Sequence, residues 1–216
     1  LCKSHSAMNH GTMSQAPLIR LRPRGQIHCV SHSRTVLATG PDGFLDDRPD
    51  EGLFVHETRL LSRYRYSIDG ADLHPVSMSN VDQRSWLGYY IVPVDIGDGA
   101  AAHANINEAA QQAIELRLSR FVGGSVHEDV DVTNFTQRPV KLTLILEPDG
   151  DFADYIETRE ERQQRGEKSS RWVPGESRWD LQLEYRAEHS FDHQGESGVA
   201  RLARGLCIRF FNATSP

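Results

Sequence analysis

The sequence predicts an all-β protein: an antiparallel, supersandwich-like β-sandwich with at most short helices. Three observations carry that prediction. From residue 25 onward the dominant hydrophobic period is two, as in Tyr64, Tyr66 and Ile68 alternating with Arg63, Arg65 and Ser67. Successive side chains on a strand point to opposite faces, so each such run has one buried and one wet face. The runs are half apolar rather than continuously apolar, which is the mark of antiparallel rather than parallel sheets. Glycine, proline, asparagine and aspartate cluster between the runs, where turns need them.

Taken in order, residues 1–24, which begin LCKSHSAMNHGTMSQAP, carry no such period and are expected to be a disordered extension. Residues 25–216 are expected to form the sandwich. Gly40-Pro41-Asp42-Gly43 reads as a turn. Asp69-Gly70, centred in 65–76, is a two-residue hairpin signal. Residues 100–113, rich in Ala, Asn and Gln, read as a loop or one short helix. Ile114, Leu116 and Leu118 form the next strand, and Gly123-Gly124 breaks it. Val126, Val130 and Val132 share a face, as do Val140, Leu142, Leu144 and Leu146. Residues 125–147 are therefore expected to form a second hairpin, closed by 134–139. Residues 155–165 contain good helix formers but equally suit a strand running into a charged loop near 160–177. Leu181, Leu183 and Tyr185, then Leu206, Ile208 and Phe210, close the series.

Composition bounds function. Twenty-four basic against thirty acidic residues give a net charge of -6, which argues against general nucleic-acid binding. No apolar run approaches the roughly 18 residues of a membrane helix, and no stretch has the form of a secretory signal. Cys2, Cys29 and Cys207 are an odd number at wide spacing, so reduced thiols and a cytoplasmic protein are expected. The sequons at Asn134 and Asn212 then read as chance matches. Only 38% of residues are hydrophobic. The terminal extension and the charged stretch account for part of that shortage, because neither is expected to join the core.

Four constellations invite a chemical reading. The acidic segment 147–157 (EPDGDFADYIE) could supply a glycosidase carboxyl pair, yet it reads as well as a turn with solvated or arginine-paired carboxylates. His28, Cys29 and His32 have metal-ligand chemistry, but no second cluster completes a site, so neither metal nor cofactor is expected. Ser125 lacks the second flanking glycine of a nucleophile elbow. Trp86, Tyr89 and Tyr90 could stack on a sugar face or fill the core.

Residues 51–63 (EGLFVHETRLLSR), followed by the alternating strand that ends at Asp69-Gly70, resemble the N-terminal domain of bacterial glycogen-debranching enzymes of the amylo-alpha-1,6-glucosidase type. The resemblance continues through Arg120 to Glu128, Val132-Thr-Asn134, the strand 139–146, Asp151-Phe-Ala-Asp154 with Glu157 and Arg159, and Arg165-Gly166. His56-Glu57 stands where the family more usually has Arg-Asp. The order of these blocks, over residues 25–212, is more specific than any single one.

The resemblance implies a β-sandwich that precedes a helical (α/α) barrel, with the general acid and base in the barrel. This chain ends after a strand, without a succession of amphipathic helices. The expectation is therefore an accessory, non-catalytic domain docking on a barrel glycosidase in cis or in trans. No catalytic residue carries over, so the chain is not expected to be an enzyme by itself. Arg59, Asp151, Asp154, Glu157 and Arg159 are expected to form its fold-defining, barrel-facing polar network. A stand-alone carbohydrate-binding module for alpha-glucans is the alternative.

Overall fold

The computed structural model describes residues 27–93, 113–136, 138–160 and 166–212. Every regular element among them is a strand, and every strand pairing is antiparallel. The expected extension 1–24 and the segment 100–112 lie outside the described residues.

Four sheets make up the fold. The first contains β1 (His28–His32), β2 (Thr35–Thr39), β4 (Gly52–Val55) and β5 (Thr58–Leu61), in that order. The second has β6 (Arg63–Ile68) between β12 (Leu144–Asp149) and β3 (Leu45–Asp46), with β7 (Ala71–Asp72) also on β6. The third runs β11 (Val126–Asn134), β10 (Ala113–Val122), β9 (Ser85–Pro93), β8 (His74–Asn80). The fourth is β13 (Glu167–Gly175), β14 (Arg178–His193) and β15 (Glu196–Phe211).

The alternation read from the sequence is what buries the core. Tyr66, Ile68, Leu116 and Leu118 point inward and are at most 6% exposed. They join Val30, Leu37, Phe44, Leu45, Trp86 and Tyr90 in one cluster that draws on the first three sheets. A second, smaller cluster gathers Phe152, Leu181, Leu183, Tyr185 and Ala187 against the fourth sheet. Leu206 and Ile208 of β15 pack on both clusters and so join them.

Three expectations about local structure are corrected. Residues 125–147 are not a hairpin. β11 pairs with β10 through the Gly123-Gly124-Ser125 turn, whereas β12 crosses to the second sheet and pairs with β6. Alternation defines a strand's faces but not its neighbour. The crossing begins with a side-chain turn in which Asn134 Oδ1 accepts from the Thr136 N–H and hydroxyl. Of the charged loop expected near 160–177, residues 161–165 lie outside the described residues and Glu167–Gly175 is strand: β13 pairs with β14 along its whole length. It is an edge strand whose residues are nearly all exposed, so it shows no apolar period. Of the expected segment 155–165, residues 155–159 form a turn rather than a helix or strand, and 161–165 lie outside the described residues. The Asp69-Gly70 hairpin is present but short, since β7 is two residues long and β8 leaves for the third sheet.

Candidate functional site

The polar network expected from the sequence assembles where β5 meets the segment 149–155. That segment runs beside β5: the Ser62 N–H donates to the Asp149 carbonyl at 2.9 Å, Arg59 N–H to Ala153 at 2.8 Å and Tyr155 N–H to Glu57 at 2.8 Å. Arg59 and Leu61 are the inward-facing residues of β5. Arg59 is 6% exposed, and a buried guanidinium needs acceptors in several directions. It has them. Its Nε and Nη2 donate to the two Asp151 oxygens at 3.1 and 2.5 Å, and its Nη1 donates to the carbonyls of Arg48 at 2.8 Å and Glu51 at 3.2 Å.

Phe152 comes next, with a positive φ of 55° and no exposure. A bulky residue in that region is strained by about 1–3 kcal/mol and persists only when its surroundings fix it. Two contacts do so: its ring stacks on Tyr185 at 5.8 Å, and its carbonyl accepts from Arg204 Nη1 at 2.6 Å. Arg204 Nη2 also pairs with Asp154 at 2.7 Å. Asp154 forms an isolated bridge with Thr58, and its N–H donates to Glu157 Oε2 at 3.0 Å. A tight turn then brings the Thr158 N–H to the Asp154 carbonyl. Its tip exposes Tyr155 (45%) and Ile156 (67%). Arg159 lies over the Tyr155 ring at 4.5 Å and pairs with Asp50 on the loop that carries Arg48.

Arg59, Asp151, Asp154, Glu157 and Arg159 are thus brought to one region, Arg59 and Asp151 as a direct pair and Arg159 at its rim. Chemically the region is a clamp. Asp151 faces Arg59, Asp154 faces Arg204 and Asp149 faces Lys168 at 2.7 Å. Beside them Glu51 is 3% exposed, and burial pushes its carboxyl above the usual range. It accepts the Asp46 N–H at 3.0 Å, which folds the loop that presents the Arg48 and Glu51 carbonyls to Arg59.

Sequence reasoning missed a second buried network. Arg120 on β10 faces Glu128 directly across on β11, and their side chains, 2% and 9% exposed, form an ion pair. Glu128 also accepts from the hydroxyls of Tyr64 at 2.6 Å and Tyr66 at 2.7 Å. Burial, reinforced by the Glu128 charge, drives both phenols well above their ordinary range. Arg120 lies over the Trp86 ring at 4.6 Å and donates to the Gly43 carbonyl. The signal was parity: Arg120 falls on the face of Ile114, Leu116 and Leu118, and Glu128 on that of Val126 and Val130.

The three aromatic candidates divide. Trp86 is 2% exposed and Tyr90 wholly buried, its hydroxyl bound to the Asp42 carbonyl at 2.6 Å. Neither offers a ring face to a sugar, because even-numbered residues of β9 point into the core. Tyr89 points the other way and is half-buried. His28 and Cys29 face opposite sides of β1. Among the described residues no group of three or more His, Cys, Asp or Glu is placed to hold a metal. No helix there is long and apolar enough to cross a membrane.

A family model described as the N-terminal domain of some glycogen debranching enzymes matches residues 30–204. No curated protein and no solved structure matches the chain.

Proposed function

The chain belongs to this family of debranching-enzyme N-terminal domains, and on that basis we propose that it is a non-catalytic β-sandwich that docks on and supports a helical-barrel glycosidase domain. The barrel acts on alpha-1,6-glucosidic bonds, as in an amylo-alpha-1,6-glucosidase, and is supplied in cis or in trans. The observation that carries the reading is the clamped turn at 154–160. Arg59, Asp151, Asp154 and Arg204 hold its base, while Tyr155 and Ile156 stand exposed at its tip. A rigid base under an exposed aromatic–aliphatic pair is how interface anchors are built. The pairing of Asp151 with Arg59 and of Asp154 with Arg204 beneath it supports a structural role. Free thiols at Cys29 and Cys207 favour the cytoplasm as its compartment.

The test is titration of a barrel glycosidase domain into the chain by calorimetry. A saturable complex is expected, weakened about tenfold or more in Ile156→Asp and in Tyr155→Ala, since interface anchors cost about 2 kcal/mol or more when truncated. No complex, or one indifferent to both changes, would remove the docking role.

A further inference from the structure

We draw no further inference here: the strongest candidate, the outer edge of the fourth sheet along β15 with Phe191 and Val199 standing 41% and 59% exposed toward the far end of its hairpin with β14, carries none because nothing in the structure shows what covers it.

Discussion

Two acidic residues a few positions apart experience opposite environments. Asp46 accepts two bonds from Arg65, at 2.8 and 2.5 Å, and that hydrogen bonding holds its carboxyl below the usual range. Glu51 is raised, burial being the main cause. The linkage signs therefore differ. Asp46 contributes stability present above its unfolded pKa and lost as pH falls through its lower folded value. Glu51 contributes stability that is full in acid and lost as pH rises through its raised folded value. In Glu51→Gln the amide oxygen still accepts the Asp46 N–H but carries no buried charge. Its stability relative to the parent is expected to climb as pH rises through the carboxylate range and then level off. In Asp46→Asn the relative stability should fall over the same titration. Denaturant unfolding across a pH series checks both, and slopes of equal sign would refute the account. This scale is also where the sequence was least legible. Arg59 and Arg120 stand in the blocks that carry the resemblance, but their burial and their acceptors are not written in any local pattern. A buried arginine is permitted only by acceptors that come from distant segments, such as Asp151 for one and the Gly43 carbonyl for the other.

At the scale of the element, periodicity located the strands because each needed one apolar face. β6, β10 and β14 were visible at once on that ground. β13 was not, since an exposed edge strand needs no such face. The order of blocks pointed to 151–159 as one unit, but the pairing of that unit with β5 lay beyond any local signal. The hairpin joining β4 to β5 shows a compromise that can be measured. His56 and Glu57 both have positive φ, 48° and 68°, the two-residue turn that favours Asn-Gly. Neither is the cheapest residue for that conformation. The His56 ring makes an exposed contact with Arg34 at 3.1 Å, while the His56 N–H donates to the Arg34 carbonyl and the Glu57 carbonyl accepts from Tyr155, backbone roles that asparagine and glycine keep. Replacing the pair by Asn-Gly should relieve left-handed strain and raise stability by about 1 kcal/mol, or Tm by roughly 2–4 °C. A thermal melt that falls instead would mean the two side chains hold the turn through contacts beyond these.

For the whole molecule the question is what joins the fourth sheet to the other three. Apolar packing and directed polar contacts both cross between them, the exposed Lys168–Asp149 pair among the latter. Leu206 and Ile208 pack on both hydrophobic clusters, an interaction that tolerates small shifts because it is non-directional. Arg204 adds direction: from β15 it reaches the Phe152 carbonyl and the Asp154 carboxylate at 2.6 and 2.7 Å. Its side chain is 16% exposed, so both bonds act in a poorly hydrated place. Hydrogen bonds to a charged partner contribute about 1.5–3 kcal/mol each, and part of that is recovered when water replaces them. In Arg204→Met the stem still covers apolar surface but its poorly hydrated directed link is gone, which leaves the exposed Lys168–Asp149 pair. Amide hydrogen exchange should then speed up in β13, β14 and β15, and around Phe152, by an amount equal to roughly 2–3 kcal/mol of local protection. Protection in β9 and β10, which the Arg120–Glu128 pair holds independently, should stay at its parent level. The control is Arg201→Met on the same strand. Arg201 and its partner Glu188 are 80% and 63% exposed, and such a surface pair contributes about 0–1 kcal/mol. If both variants change exchange equally, or if Arg204→Met lowers protection uniformly across all four sheets, the fourth sheet is not separately tethered. The clamp at 151–154 would then be an incidental contact of one cooperative core rather than the hinge post on which the sheet and the exposed turn are jointly held.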